Sequence, residues 1–248
     1  MPASRRDPSG PPDPAPSLLV TGDGSRTLLS EAYGECYHSR HGALTEARHV
    51  FLEGSGVAAR LRATDPTVVL EVGFGAGLNA LLTLDLAAAL GVRLRYLALE
   101  RALLPAATLK ALGYGALLRD PALADALLAW RGSLSEPPPA EATFAFAGSR
   151  LELLLGDARE ARLPTGVHAV YHDAFSPATN PELWQPPFLA RLFEALAPGG
   201  ALVSYTVQGA LRRRLAAIGF VVAKTPGPPG GKREVLVARK PASAETAP

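Results

Sequence analysis

The stretch "TVVLEVGFGAGLNALLTLDLAAALG", residues 67–91, constrains this chain more than any other. A β-branched apolar run breaks into glycines at 73, 75 and 77, and a helical pattern follows at once, with Gly91 just past its end. A short apolar run bounded by turn residues is read as a buried strand, and a strand feeding a helix through a tight loop is half of a βαβ unit. Glycines in that loop let the backbone approach a ligand closely and adopt dihedrals that other residues avoid.

The same alternation continues downstream. "RLRYLALE" reads as a strand closed by an acid, and "PAATLKALG" and "DPALADALLAWRG" as helices, the second opened by Asp120 and Pro121. "SRLELLLGDARE" and "HAVYHDAF" read as strands running into acids. "NPELWQPPFLARLFEALAPGG" reads as helix, with Asn180 as a cap and a stop at Pro198-Gly199-Gly200, and "ALVSYTV", "VVAKT" and "REVLVARK" as further strands. This order predicts an α/β fold with a doubly wound, mostly parallel sheet. Ahead of it, "SLLVTGDGSRTLLS" predicts a hairpin turning at Asp23-Gly24, and "GALTEARHVFLEGSG" a short helix or strand. Residues 18–64 are therefore expected to form a small N-terminal extension to a core at 65–240. Residues 1–17, Pro-rich and without periodicity, and 241–248 are expected to be tails.

Composition removes several function classes. No apolar run reaches the ~20 residues needed to span a bilayer, and the first residues carry no apolar secretory core, so no membrane association is expected. One cysteine, Cys36, excludes an internal disulfide framework and suits a reducing cytoplasm. The five histidines are scattered, so no metal site is expected. Net charge is only +2, but residues 208–240 hold eight Lys/Arg against one acid, Glu234, a candidate phosphate-facing patch or a solvated face.

In open α/β sheets, ligands bind beyond the carboxyl ends of the strands. Four strands here end at acids: Glu71, Glu100, Asp157 and Asp173. The dinucleotide fingerprint needs a small residue where this chain has Leu78, and Glu71 would repel a diphosphate. No P-loop lysine follows the glycines. The pattern E-x-G-x-G-x-G at Glu71, Gly73, Gly75 and Gly77 instead resembles the first motif of class I S-adenosylmethionine-dependent methyltransferases. That resemblance implies a Rossmann-like sheet with an antiparallel last strand and S-adenosylmethionine as cofactor. It places Glu71, Gly73, Gly75, Gly77 and Asn79 against the cofactor, Glu100 on its ribose hydroxyls, Asp157 and Ala158 at its adenine, and Asp173 facing the methyl group and its acceptor.

"DAFSPATNPELW", residues 173–184, resembles a motif of the tRNA 5-(aminomethyl)uridine methyltransferases. The likeness extends through "TGDGSRTLLSEAYGECYHSRHGALTEARHVFLEG", "LEVGFGAGLNALL" and "GALRRRLAAIGF…GGKREVLVA", most of the chain from residue 21 to about 238. It implies methyl transfer to the aminomethyl nitrogen on the wobble uridine of a tRNA anticodon loop. In bifunctional relatives a flavin-dependent oxidase follows. This chain ends at Pro248, so that step is expected to be absent and the amine to come from another enzyme or a partner.

The chemistry makes sense of Asp173. An aliphatic amine has a pKa near ~10, so freeing its lone pair at pH 7 costs roughly 4 kcal/mol. A fixed carboxylate stabilises the charge that grows on nitrogen, orients an N–H and, secondarily, accepts a proton. Phe175 and Trp184 are candidate walls for the uracil ring. Ser176 and Asn180 are candidate substrate contacts, Tyr37 a candidate cofactor lid, and Lys232 and Arg233 candidate tRNA-backbone contacts. His172 is expected to be a packed histidine. The alternatives are a class I methyltransferase acting on a small amine or another RNA position, and an aminopropyltransferase, which would need several acids around its polycationic acceptor. A non-catalytic RNA-binding protein with this fold and a nicotinamide dehydrogenase are further alternatives, the last opposed by Leu78 and Glu71.

Overall fold

The glycine-interrupted unit is the centre of an eight-stranded sheet in the computed structural model, which describes residues 15–242. The expected tails therefore fall largely outside the described residues, at 1–14 and 243–248. Three short strands come first: β1 (Ser17–Val20), β2 (Arg26–Ser30) and β3 (Glu35–Cys36) pair antiparallel in a small separate sheet. The β1–β2 connection turns at Asp23-Gly24 as expected. Asp23 Oδ1 accepts from Thr21 Oγ1 and from the Ser25 amide and hydroxyl, while Oδ2 accepts from Thr45, which fastens the hairpin to α1 (Ala43–Glu46). A π-helical segment, Ala47–Glu53, and α2 (Val57–Arg62) complete the extension, so the helix-or-strand ambiguity resolves to helix.

The core then runs β4 (Thr67–Val72), α3 (Leu78–Ala89), β5 (Leu94–Glu100), α4 (Ala106–Leu112), α5 (Ala122–Ser133), β6 (Glu141–Phe146) and β7 (Ser149–Leu155). It continues through β8 (Val167–His172), α6 (Pro186–Ala195), β9 (Leu196–Ser204), α7 (Gly209–Ile218), β10 (Val221–Pro226) and β11 (Glu234–Arg239). Strand order is β10-β11-β9-β8-β4-β5-β7-β6. The five central strands are parallel; β11 runs antiparallel to both β9 and β10, and β6 antiparallel to β7. The last strand is antiparallel as the resemblance implied, and β6 adds a second antiparallel element at the other edge. The Pro198–Gly200 step expected to end a helix lies inside β9 instead, where the Lys240 amide donates to the Gly200 carbonyl.

Apolar side chains cover the sheet on both faces. Val69 packs on one side with Phe51, Leu61, Leu78 and Leu84, and Leu70 and Val72 on the other with Trp184, Leu189 and Leu215. Period-two alternation therefore turns Glu71 toward the α3 side, into the protein. After β4 the chain builds outward through β5 and β7, then returns to β8 on the opposite side of β4. The direction of winding changes between β4 and β8, and the crevice expected at such a switch opens at their carboxyl ends.

Candidate active site

The loops leaving β4 and β8 are pressed together. The Asp173 amide donates to the Val72 carbonyl at 3.0 Å, and a Cβ on Gly73 would lie 3.0 Å from the Asp173 carbonyl oxygen. Gly73 also holds φ at 90°, so glycine is required there on both counts. Gly75, with φ at 52°, lies under the Tyr37 ring, where a Cβ would come within 3.0 Å of the ring edge. Gly77 begins α3 behind this loop.

A cleft of about 1810 Å³ runs across the carboxyl ends of β4, β5, β7 and β8. Gly73, Gly75, Glu100, Asp157 and Ala158 line its β5–β7 half. Glu100 accepts the Gly75 amide at 2.8 Å on one oxygen and the Ala102 amide at 2.9 Å on the other. Burial pushes its pKa up, opposed by these amides. The Arg101 and Phe74 amides also point at this carboxylate, which fixes it at the cleft edge as an oriented acceptor. Asp157 is held by the Arg159 guanidinium, with its pKa lowered by that bond. A wall without Cβ atoms, an oriented carboxylate and further acids fit a ligand with ribose hydroxyls and cationic groups. The donor set suits S-adenosylmethionine.

Asp173, Phe175, Ser176 and Asn180 line the β8 half. Asp173 sits at the floor, its Oδ2 accepting Asn79 Nδ2 at 2.8 Å; the same nitrogen lies 2.9 Å from Glu71 Oε1. Burial, then the charges of Glu46 and Glu71, push the Asp173 pKa well above the usual range. Glu71 itself is 1% exposed, with Oε2 lacking a partner, and burial raises its pKa to about 8. It thus stands behind Asp173 through Asn79 and does not line the cleft, contrary to the expectation that it faces the cofactor. Asn79, 3% exposed, is likewise a bridge in the wall.

Other expected residues are redistributed. Phe175 faces the cleft, 4.7 Å from the Tyr33 ring and 5.2 Å from Tyr37. Trp184 does not line it: the indole is 1% exposed, lies 4.1 Å from the His172 ring and donates to the Phe175 carbonyl at 2.9 Å. Its large apolar surface found the core, so it props the loop and forms no wall. His172 is packed and held neutral, its pKa lowered to about 4 by burial. Asn180 lines the cleft and makes no side-chain cap. Lys232 points into the cleft and Arg233 lies outside its lining. The basic patch is partly engaged within the fold: Arg214 donates to the Trp184 carbonyl and Lys240 to those of Phe193 and Leu196, while Lys224 pairs with Glu234 at the surface.

Sequence reading missed four cleft residues: Tyr33, Glu35, Glu46 and Tyr205. Glu35 is a clasp. Its carboxylate accepts the Ser176 amide at 2.9 Å and the hydroxyls of Ser176 and Thr179 at 2.5 Å each, tying β3 to the loop after β8. Its pKa falls through those bonds despite partial burial. Glu35→Ala is expected to lower kcat/KM for the acceptor by about 10²-fold through a misplaced loop. Cofactor affinity, read by calorimetry, should hardly change; an equal loss in both would refute the clasp.

Among the described residues, no group of His, Cys, Asp or Glu is arranged to hold a metal ion, and no helix is long and apolar enough to cross a membrane. A family model described as S-adenosyl-L-methionine-dependent methyltransferase matches residues 124–241. The chain is 41% identical over 218 residues to the tRNA 5-methylaminomethyl-2-thiouridine biosynthesis bifunctional protein MnmC of Pseudomonas aeruginosa, covering 84% of this chain and 33% of that protein. It is 39% identical to the MnmC of Aromatoleum aromaticum, covering 92% and 36% respectively. The chain thus spans about a third of the length of these relatives. The crystal structure of MnmC2 from Aquifex aeolicus superimposes with a TM-score of 0.74 at 29% identity, covering 94% of this chain and 73% of that one. With its glycine loop, strand-end carboxylates and switch-point cleft, this chain belongs to the MnmC-type family of S-adenosyl-L-methionine-dependent methyltransferases.

Proposed function

We propose that the protein methylates the aminomethyl nitrogen on C5 of a wobble uridine in the anticodon loop of tRNA. The observation that carries this reading is the position of Asp173, a half-buried carboxylate at the cleft floor where the β4 and β8 loops touch. The names of the MnmC relatives, which describe tRNA 5-methylaminomethyl-2-thiouridine biosynthesis, support it. The proposal covers the methyl transfer alone; a flavin oxidase acting as a separate partner is one source of the free amine.

Bound in the β5–β7 half, against Gly73, Gly75, Glu100, Asp157 and Ala158, S-adenosylmethionine supplies an electrophilic methyl group on a sulfonium sulfur. Asp173 has the properties of a base for the other reactant. A carboxylate with an ordinary pKa is a poor acceptor for an ammonium proton, and burial among acids brings this one closer to the task. Phe175, backed by Tyr33 and supported from behind by Trp184, offers a ring face for the uracil. Asn79 fixes the Asp173 carboxylate so that one N–H of the acceptor is held and its lone pair is directed.

A second reading, transfer to a small aliphatic amine, is favoured by the additional acids Glu35 and Glu46 at the acceptor end. Lys232 in the same end weighs against a polycation. Labelled S-adenosylmethionine incubated with tRNA bearing the aminomethyl group, tRNA lacking it, and a short diamine separates the two. Label on the aminomethyl tRNA alone is expected. Label on both tRNAs, or on the diamine alone, would end the wobble-amine reading.

A further inference from the structure

Three carboxylates and one ammonium meet at the β8 end of the cleft. Glu35 comes from β3, Glu46 from α1 and Asp173 from the tip of β8, while Lys232 comes from the β10–β11 connection. Lys232 Nζ donates to the Tyr205 carbonyl at 3.3 Å and lies 4.1 Å from the centroid of the Tyr205 ring. It is within electrostatic reach of all three acids. Glu35 is secured by Ser176 and Thr179, whereas Glu46, 7% exposed, takes the Ser39 amide at 2.9 Å and Asp173 the Asn79 amide.

We propose that Lys232 and Glu46 are opposed charges that set the pH at which the acceptor amine loses its proton, Lys232 driving the proton off and Glu46 holding it on. The inference rests on the reading that an aliphatic ammonium binds beside Asp173. That ammonium passes one proton to the Asp173 carboxylate, leaving a carboxylic acid and a neutral amine with a free lone pair. A nearby positive charge disfavours the protonated form of both amine and carboxyl, and a nearby negative charge favours both. Neither charge much alters that internal transfer; they act with opposite sign on the preceding step, the loss of one proton to solvent from the ammonium–carboxylic acid pair, which admits the reactive form. Burial lowers the Lys232 pKa while its three acidic neighbours raise it, and burial raises that of Glu46.

Of the remaining groups facing this end, Glu71 acts on Asp173 with the same sign as Glu46 but holds its own proton up to about pH 8. Tyr205 has its hydroxyl bonded to the Ala174 carbonyl, and burial pushes its pKa far up. His38 is buried and held neutral, its pKa lowered to about 4. His41 faces Glu46, and Glu71 reaches Asp173 through Asn79. Lys232 and Glu46 are thus positioning residues, acting through the protonation of other groups. A phosphate contact, as the sequence suggested for Lys232, would behave differently: its loss weakens tRNA binding and flattens the salt dependence.

The test is the pH profile of kcat at saturating tRNA carrying the aminomethyl group, which reports the bound complex, with the salt dependence of tRNA binding measured alongside. Lys232→Met is expected to move the ascending limb up by about one pH unit, and Glu46→Gln to move it down by about one. Lys232→Arg should restore the wild-type limb, and the salt slope should be the same in Lys232→Met as in the wild type. Shifts of equal sign, or an unmoved limb in Lys232→Met, overturn the proposal; an unmoved limb with a shallower salt slope makes Lys232 a phosphate contact. If Glu46→Gln does not fold, Lys232→Met and its rescue by arginine decide the matter alone. A wild-type protein that transfers no methyl to this tRNA defeats the underlying reading, a result distinct from any of these.

Discussion

Asp173→Asn is expected to lower kcat for methyl transfer by about 10³-fold while leaving the fold and cofactor binding in place. The substitution keeps an oxygen in position to accept the Asn79 amide, so the wall behind it survives. It removes the negative charge and the proton acceptor, and both losses fall on the reacting nitrogen. Stability should hold or rise slightly, because a carboxylate desolvated beside Glu46 is itself a strain on the folded state. Thermal unfolding and single-turnover transfer measured on the same preparation check both halves. A variant that keeps turnover within a few-fold of wild type would take Asp173 out of the chemistry.

The second large effect is on stability against pH. Glu71 has a folded-state pKa near 8 against an ordinary value of 4.5, so the folded protein holds this proton where the unfolded chain releases it. Stability from the group is complete below about 4.5 and is lost as pH rises toward about 8. Each pH unit in that window weakens the fold by about 1.4 kcal/mol for a whole proton, on the order of several kcal/mol in all. Glu71→Gln is expected to flatten this fall, so the variant melts above the wild type at pH 9 and close to it at pH 5. Denaturant unfolding at several pH values reads the difference. Parallel curves for the two proteins would show that Glu71 is ionised in the folded state.

How much of this was legible depends on the reach of each signal. The β4 loop, its glycines and the strands ending at Glu100 and Asp173 are local patterns, and period-two alternation with turn residues identified them. Glu71 looked like the other strand-end acids, but it belongs inside the strand, and its position in the alternation turned it inward beside Asn79. Trp184 stood near the start of a stretch read as helix, where the sequence does not reveal that a buried histidine and a backbone carbonyl await the indole. Glu35 reaches Ser176 across 141 residues, and no periodicity connects a two-residue strand with a loop that distant. Lys232 was read from its glycine-proline surroundings as an outward cation, and the turn geometry of 227–233 brought it inward instead. The Gly227 amide donates to the Arg233 carbonyl at 2.8 Å, closing that loop over Tyr205.

The extension at residues 15–62 thus contributes more to the acceptor end than its small sheet suggested. Tyr33, Glu35, Tyr37 and Glu46 come from it, whereas the glycine loop and Glu100 belong to the core. The division implies that the core provides the cofactor half and the extension shapes what can approach it.

The proposed transfer turns on one event, a half-buried carboxyl group beyond β8 receiving the proton of an aliphatic amine attached to a nucleobase. Nucleoside mass spectrometry of aminomethyl-bearing tRNA, after incubation with S-adenosylmethionine and either wild-type protein or Asp173→Asn, examines that directly. A methylaminomethyl uridine at the wobble position is expected with the wild type and almost none with the variant. A methyl group on any other nucleoside, or equal yields from the two proteins, would contradict it.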